Sequence, residues 1–271
     1  MSLDREAFLR YSRHLLMADV GEQGQALLSR AKVLMVGLGG LGCPVALYLA
    51  AAGVGRLTLC DPDSVELTNL QRQILYRTAD CGAAKVDCAA RELRALNPSV
   101  AITGYGRPVD DIILPASGAS FDVVVDCTDN LAARHWLNRR CRQLAVPLVS
   151  AAAMGWEGQL MTFDFSRADS PCLACVIAEG GAEPVANCTN SGVMGPLLGV
   201  MGSMEAISVI RVLLSRGDAD RFAASGRLQR FDARREQWSS FVIQRRSDCQ
   251  VCGQAGESAA TAGNITTGAS Q

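Results

Sequence analysis

A glycine-rich turn contains the first residues whose type and spacing suggest chemistry. Residues 37–42 read GLGGLG and match the pattern G-x-G-x-x-G at Gly37, Gly39 and Gly42. Because glycine has no Cβ atom, a phosphate group can approach the backbone amides at the positive end of the following helix. Asp61 lies 24 residues after Gly37, where a carboxylate would accept hydrogen bonds from ribose hydroxyls. The pattern predicts nucleotide binding; the alternative, glycines that only permit tight packing, leaves Asp61 without a role.

Polar and cationic side chains follow Asp61 closely in the chain. The loop 63–76, DSVELTNLQRQILY, and the helix predicted after it supply four such residues: Asn69, Gln71, Arg72 and Lys85. Cations above a phosphate chain favour phosphoryl or nucleotidyl transfer, because negative charge must be stabilised in the transition state. An NAD-dependent oxidoreductase would need little of this charge. For Arg72 and Lys85, the alternative interpretation is an exposed helix face.

The segment CTDN at 127–130 ends another predicted parallel strand. Since the carboxyl ends of parallel strands meet at one edge of a sheet, Asp129 is expected beside the crevice where the strand order reverses. Carboxylate oxygens are suitable ligands for a Mg²⁺ ion that also binds phosphate oxygens. Asp129 is therefore a candidate magnesium ligand.

Four cysteines form two C-x-x-C pairs, called knuckles here, that lie far apart in the chain. Cys172 and Cys175 form the first pair, Cys249 and Cys252 the second, and 73 residues lie between the pairs. Together they supply the ligands of a closed tetrahedral zinc site, which a cytosolic chain favours over disulfides. A redox C-x-x-C is the alternative, but that motif normally occurs once, near a βαβ unit. With all four positions filled, the predicted zinc site is structural.

The elements that position these residues alternate between strand and helix up to residue 153. Buried strands are predicted at 31–37 and 55–63, and a helix at 41–52 joins them into a βαβ unit. The later elements are helices at 83–98 and 130–145 and strands at 100–106, 122–127 and 147–153. This order predicts the α/β class, with a Rossmann-like, doubly wound and mostly parallel sheet.

The pattern then changes to one typical of antiparallel strands. Residues 158–165 and 228–245 alternate apolar and polar side chains, and a long helix is predicted at 199–215. We expect four regions: an N-terminal segment of two short helices (1–30), a nucleotide-binding region (31–165), a crossover loop, helix and antiparallel strands closed by zinc (166–252), and a disordered tail (253–271).

Composition narrows the function classes. The 271 residues carry 26 Lys and Arg against 27 Asp and Glu, a net charge of −1 that favours neither nucleic acid nor an acidic membrane as partner. Apolar runs are interrupted short of the ~18 residues of a membrane span, and the N-terminus lacks the apolar core of a signal peptide. A soluble, cytoplasmic protein is expected. Of the eleven cysteines, five are expected in the core as small apolar side chains: Cys43, Cys60, Cys88, Cys127 and Cys141.

In combination, the motifs resemble the ThiF/MoeB/HesA family of bacterial relatives of ubiquitin-activating enzymes. The resemblance covers residues 5–252 and depends on RYSRHLL, GLGGLG, TNLQRQ, CTDN, CLAC, GVMGPLLGVMGSMEA and CQVC. It implies ATP-dependent adenylation of the terminal Gly-Gly carboxylate of a small ubiquitin-like sulfur carrier, with release of pyrophosphate. It also implies a homodimer. Because the chain ends soon after the second knuckle, a separate sulfur donor, such as a cysteine desulfurase or rhodanese, is expected.

The same resemblance implies roles for individual residues. It places ATP at Gly37, Gly39, Gly40, Gly42, Asp61, Thr68, Asn69, Leu70, Gln71, Arg72, Lys85, Asp129 and Asn130. Asn69, Gln71 and Arg72 would line the phosphates, and Lys85 would neutralise them. Asp129 would hold Mg²⁺ beside Asn130. Arg13 resembles the arginine that family members contribute to the neighbouring subunit's active site, although a surface arginine is the alternative.

Cys188 is the last residue to which the resemblance assigns a catalytic role. It lies 13 residues after Cys175, where thiamine-type members carry a cysteine that forms an acyl-disulfide with the carrier. Its neighbours Asn187, Thr189 and Asn190 supply no cation to activate the thiol. The alternative is an inert loop thiol.

Other readings remain open at this point. The thiamine branch resembles the sequence slightly more than the molybdopterin branch, while the two knuckles and the lack of a basic patch argue against tRNA-modifying relatives. An NAD-dependent oxidoreductase with a structural zinc would use the same glycines and Asp61. A zinc-stabilised binding scaffold without catalysis is a third hypothesis.

Overall fold

A single sheet of eight strands runs through the computed structural model, which describes residues 4–115, 121–180, 192–215 and 225–253. The strands are β1 (Lys32–Val36), β2 (Arg56–Cys60), β3 (Ala101–Tyr105), β4 (Val123–Asp126), β5 (Leu148–Met154), β6 (Glu157–Phe163), β7 (Arg227–Asp232) and β8 (Gln237–Val242). Their order across the sheet is β3-β2-β1-β4-β5-β6-β7-β8. The strand order therefore reverses between β1 and β4.

The first five strands are parallel and the last three extend the sheet antiparallel, as the sequence predicts. Val33 to Val36 of β1 and all of β4 are buried, which explains their continuous apolar runs. Strands β7 and β8 have no fully buried residue, and their polar and apolar residues alternate only in part, as RLQRFD and QWSSFV show. The predicted fold class is confirmed.

Helices cover both faces of the sheet. They are α1 (Arg5–Arg10), α2 (Ser12–Leu15), α3 (Gly21–Leu28), α4 (Gly42–Ala51), α5 (Lys85–Leu96), α6 (Leu131–Leu144) and α7 (Gly195–Leu214). One core contains apolar residues of α4, α5 and α7, whereas the core on the other face contains those of α6, the 109–114 segment and the cysteine pairs. Asn130 begins α6 by accepting a hydrogen bond from the Ala133 N–H at 3.0 Å.

Two expectations about helices need correction. Residues 4–28 form three helices rather than two, because α1 and α2 are separate elements that meet at Tyr11. Helix α7 begins at Gly195, earlier than predicted, with Pro196 in its first turn where proline is tolerated. The four-region division stays a prediction, and tail residues 254–271 lie outside the described residues.

Helix α7 is long and apolar enough, by length and composition, to cross a membrane. An 18-residue window within this 20-residue helix has a mean hydropathy of 1.8, although glycines and a few polar residues interrupt its apolar run. This differs from the expectation that every apolar run stays well short of a span. In the fold, however, α7 packs on α4, β5 and β6, and 56% of the apolar window is buried. The observed role of α7 is that of a core helix.

Candidate active site and metal centre

A cavity of about 410 Å³ opens at the carboxyl ends of β1, β2 and β4, where the strand order reverses. In open α/β sheets, this is the usual position of a ligand crevice. The predicted site residues that line it are Gly37, Gly39, Gly40, Asp61, Arg72, Lys85, Asp129 and Asn130. Residues separated by more than 90 positions in the chain are thus brought to one crevice.

The glycines of the turn have different structural roles. Gly37 has φ +93°, and a Cβ atom there would lie 2.7 Å from the Cys127 carbonyl oxygen. A Cβ atom on Gly42 would overlap the Gly37 carbonyl group, and Gly42 does not line the cavity. Gly39 and Gly40 do line it. The outer two glycines are therefore needed to close the turn, and the middle two present backbone to the cavity.

Asp61 joins the glycine turn to the end of β2. Its Oδ2 accepts a hydrogen bond from the Leu38 N–H at 2.6 Å, and its Oδ1 accepts one from the Asp63 N–H at 2.9 Å. Burial raises the pKa of Asp61, against the opposing influence of Lys85 and these two N–H groups. Asp61 thus has a structural role in the turn whether or not it also binds ribose.

Lys85 begins α5 and projects into the cavity wall, so it is not part of an exposed helix face. Only 6% of its side chain is exposed, and its Nζ lies 2.8 Å from Oδ2 of Asp63, whose own side chain is 62% exposed. Arg72 is half-buried and its Nη1 donates to the Thr68 carbonyl oxygen at 3.1 Å. Two cations therefore reach the same cavity from different segments.

Gln73 and Arg134 also line this cavity, and the sequence reasoning missed both. Gln73 is buried, and its Oε1 has no hydrogen-bond partner among the described residues. Buried Arg134 donates to the carbonyl oxygens of Thr128 and Ala151, the latter at 2.7 Å, and holds the CTDN backbone. The sequence did contain a signal for Arg134. It lies four residues after Asn130, on the same face of a predicted helix.

Besides Gly42, four of the predicted ATP-binding residues do not line the cavity of this chain. They lie in a 3₁₀ helix and the turn after it, and are Thr68, Asn69, Leu70 and Gln71. The Asn69 amide donates to Thr68 Oγ1 at 3.2 Å, and the Gln71 backbone lies against Gly195 at the start of α7. Their roles toward a nucleotide stay predictions.

Two of the predicted catalytic residues are not among the described residues that line the cavity, and their roles stay predictions. Arg13 is exposed on α2 and does not line the cavity formed by the described residues. Cys188 falls within 181–191 and lies outside the described residues.

The four knuckle cysteines converge on one point. Their Sγ atoms all lie within 4.8 Å of one another, with 3.7 Å between Cys172 and Cys249 and 3.3 Å between Cys175 and Cys252. Tetrahedral zinc with Zn–S bonds of about 2.3 Å requires Sγ atoms about 3.8 Å apart. Three of the thiols are buried and Cys175 is half-buried. The donor set and its dimensions fit zinc, which this cluster could hold.

Helix α6 connects the cysteine cluster to the cavity. Between the first two cysteines, the Leu173 N–H donates to the buried Asn138 Oδ1 at 2.8 Å. Asn130 and Arg134, at the N-terminal end of the same helix, line the cavity. The position of the cluster and the position of the CTDN segment are therefore set by one rigid element.

A pair of buried carboxyl groups lies behind the cavity, and sequence reasoning missed it. Asp126 accepts hydrogen bonds from the Thr128 N–H at 3.1 Å and the Ser150 hydroxyl at 2.7 Å. Glu205 on α7 is fully buried, and its Oε2 accepts from the Cys127 thiol at 3.5 Å. Burial, reinforced by the charge of Asp126, raises the pKa of Glu205 well above its usual range. Burial of Glu205 thus favours the neutral form of its carboxyl group.

The fold and the site define a Rossmann-like α/β protein with a crevice at the switch point and an attached four-cysteine cluster. The chain belongs to the ThiF family, whose model matches residues 11–251. It is 42% identical to the sulfur carrier protein ThiS adenylyltransferase of Escherichia coli (strain K12), across 92% of this chain and 96% of that protein. It is 43% identical to the molybdopterin-synthase adenylyltransferase of the same organism, across 93% and 99%. The predicted family and the predicted enzyme class, an adenylyltransferase, are confirmed.

Solved structures share the same fold. A crystal structure of E. coli MccB with MccA-N7isoASN has a TM-score of 0.76 and covers 90% of this chain and 75% of that chain. Its sequence identity of 23% is low, so the likeness extends to the fold alone.

Proposed function

We propose that this chain uses ATP to adenylate the terminal Gly-Gly carboxylate of a small sulfur-carrier protein. The observation that carries the proposal is the convergence of the glycine turn, Asp61, Lys85, Arg72 and Asp129 on one crevice. The E. coli relatives named for ThiS and for molybdopterin synthase support a sulfur carrier as the substrate class. Thiamine or molybdopterin biosynthesis is the proposed pathway, in the cytoplasm.

The reaction needs alignment and charge stabilisation more than proton transfer. A carboxylate is already ionised near neutral pH, so it attacks the α-phosphate without a general base. The products are an acyl-adenylate and pyrophosphate, and the added negative charge must be held as the P–O bond to pyrophosphate breaks. Lys85 and Arg72 supply positive charge from the cavity wall, and Gly39 and Gly40 allow close approach of the backbone.

Asp129 is the proposed ligand for Mg²⁺. Its carboxylate lines the cavity and makes no ion pair within the described part of the chain, so it is available to a cation. Mg²⁺ bound there would neutralise phosphate oxygens. Arg134 supports this role because it holds the carbonyl group of the preceding residue, Thr128.

A structural zinc ion in the four-cysteine cluster is part of the proposal. The thiolates of Cys172, Cys175, Cys249 and Cys252 would fill its coordination sphere and leave no open position for chemistry.

Two further roles, for Arg13 and Cys188, are part of the proposal. Arg13 is exposed and does not line its own chain's cavity, which is compatible with a role in the partner's site of a homodimer. Cys188 is proposed to take a sulfur atom from a persulfide of a separate donor, which is left as a thiol. The Cys188 persulfide would then displace AMP from the acyl-adenylate and form an acyl-disulfide with the carrier.

Pyrophosphate exchange separates this function from its rivals. The purified protein is mixed with ATP, Mg²⁺, radiolabelled pyrophosphate and a candidate carrier that ends in Gly-Gly. Carrier-dependent label in ATP is expected, and a carrier whose last glycine is deleted is the control. Binding of NAD with no exchange for any sulfur carrier would favour the oxidoreductase instead.

A further inference from the structure

The nucleotide cavity has an apolar wall on the α6 face of the sheet. Pro108 and Val109, which follow β3, form one part of it, and Ala133 and Trp136 of α6 form the other. Val109 and Trp136 are half-buried and pack against the core on this face. Lys85 of α5 and Leu198 of α7 belong to elements on the opposite face. The α6 face of the cavity is therefore mainly apolar, apart from Arg134, whose guanidinium is bonded to backbone carbonyl oxygens, and Lys85 lies on the other side.

Trp136 is held in place by a chain of contacts that joins the two parts of this wall. The Arg140 guanidinium lies 5.3 Å from the centre of the Trp136 ring, within range of a cation–π interaction. The same guanidinium forms an ion pair with Asp111, in the segment that follows β3. Arg140 therefore connects α6 to that segment and also restrains the indole ring.

A flat apolar wall next to cationic groups matches the two ends of a nucleoside triphosphate. Phosphates belong near Lys85 and Arg72, and ribose belongs near Asp61, so the remaining apolar part of the cavity is left for the base. Bases stack on aromatic rings, and the larger surface of a purine gains more from such a wall than a pyrimidine does.

We infer that Trp136, positioned by Arg140 and Asp111, is the base-binding wall that selects a purine over a pyrimidine nucleotide. This inference depends on the proposed use of ATP. Trp136 is assigned as a specificity-determining residue, and Arg140 as a positioning residue that acts through it.

Calorimetric titration of the full chain with ATP and with CTP tests the assignment. Loss of a stacked aromatic predicts that Trp136→Ala weakens ATP binding roughly 5- to 100-fold and changes CTP binding much less. Trp136→Phe should stay within a few-fold of the natural protein. Arg140→Ala should lower the preference for ATP over CTP, and Arg140→Lys should restore part of it. Trp238→Ala, on exposed β8, is the matched control.

Fluorescence gives a second readout in which the Trp136 ring is kept. The chain has three tryptophans, so Trp136 can be observed alone after Trp156→Phe and Trp238→Phe. Its emission should be quenched more by ATP than by CTP. A folded Trp136→Ala variant could bind ATP with unchanged affinity and still exchange pyrophosphate. This result would overturn the assignment of Trp136 as the base-binding wall but not the proposed function. A natural protein that binds no ATP would overturn both.

Discussion

Lys85 keeps a charged amine in a nearly buried position, and this makes it the most informative single residue of the site. It is one of only two lysines in the chain, and the other, Lys32, is exposed. Its ion-pair partner Asp63 is largely exposed, and buried Asp61, whose pKa the charge of Lys85 lowers, keeps the Leu38 and Asp63 N–H groups as partners when the amine is removed. A substitution at Lys85 therefore reports on chemistry more than on folding.

Lys85→Ala should lower the rate of carrier-dependent pyrophosphate exchange by roughly 10²- to 10³-fold, because a preorganised charge beside the phosphates is lost. The melting temperature should change little. Lys32→Ala is the control and should retain the natural rate. Because lysines are so few, an ATP analogue with an acyl-phosphate group should acylate Lys85 selectively, as read by peptide mass spectrometry. Full exchange activity in Lys85→Ala would contradict the site assignment.

Glu205 should make the stability of the fold depend on pH. Its folded-state pKa is raised from the ordinary value of 4.5, so its contribution is complete at low pH and is lost as the pH rises toward the folded-state pKa. The groups that face it are Asp126, Cys127 and Arg134. Glutamine has nearly the same shape and stays neutral at every pH.

Glu205→Gln should therefore be more stable than the natural protein at pH 8 and about equal to it near pH 4.5. The difference should grow by up to ~1.4 kcal/mol per pH unit between the two pKa values. Urea unfolding at several pH values measures it. The exposed Glu22→Gln should show no comparable trend. A difference that stays constant from pH 5 to 8 would mean that Glu205 is ionised in the folded protein.

At the scale of elements, the turn between β1 and α4 depends on Gly37 for two separate reasons. Its φ of +93° disfavours other residues, and a Cβ atom would meet the backbone of Cys127. Gly82 has nearly the same φ, +90°, but open space around it. The two glycines form a matched pair that separates backbone strain from steric overlap.

Gly82→Ala should cost about 1–2 kcal/mol of stability through its left-handed backbone alone. Gly37→Ala should cost distinctly more, about 3 kcal/mol or above, and should weaken ATP binding, because the strand carrying CTDN must shift. Denaturant unfolding and calorimetry measure the two effects. Equal losses of stability at both positions would show that the close approach of the Cys127 backbone does not restrict the side chain at position 37.

Because helix α6 contacts the cysteine cluster, we expect loss of zinc to disturb this helix as well as the cluster. Cys249→Ser should reduce bound zinc from one ion per chain to less than one. It should also lower stability by several kcal/mol, on the order expected when metal binding contributes to folding. Elemental analysis and thermal unfolding measure these changes, and hydrogen exchange at the Leu173 amide reports on its bond to Asn138. The exposed thiol of Cys81 supplies the control, since Cys81→Ser should change neither quantity.

At the scale of the whole molecule, the proposed homodimer can be tested by complementation. If Arg13 completes the partner's site, Arg13→Ala and Lys85→Ala homodimers should both be inactive. Co-expressed together, they form mixed dimers in which one of the two sites contains both natural residues. Pyrophosphate exchange should then recover to about half the natural rate per mixed dimer. No recovery in purified mixed dimers would place Arg13 in its own chain's site or outside catalysis.

The sequence by itself determined the features that depend on local spacing. The glycine turn, the order of strands and helices, and the two C-x-x-C pairs are local patterns, and each was found where predicted. Asp129 could be placed near the crevice because parallel strands share one carboxyl edge, and Lys85 because it follows Asp61 closely in the chain. The helix boundaries in residues 4–28 could not be predicted from the sequence, because the ends of short helices are set by contacts with the rest of the fold.

Only the tertiary structure decided what surrounds each side chain. It paired Lys85 with Asp63, placed Gln73 and Arg134 in the cavity instead of residues 68–71, and buried Glu205 beside Cys127. It also brought the cysteines of the two C-x-x-C pairs to one point, with all four Sγ atoms within 4.8 Å of one another. Burial, charge pairing and pKa are set by neighbours that come from distant parts of the chain. Sequence spacing alone carries no record of those neighbours.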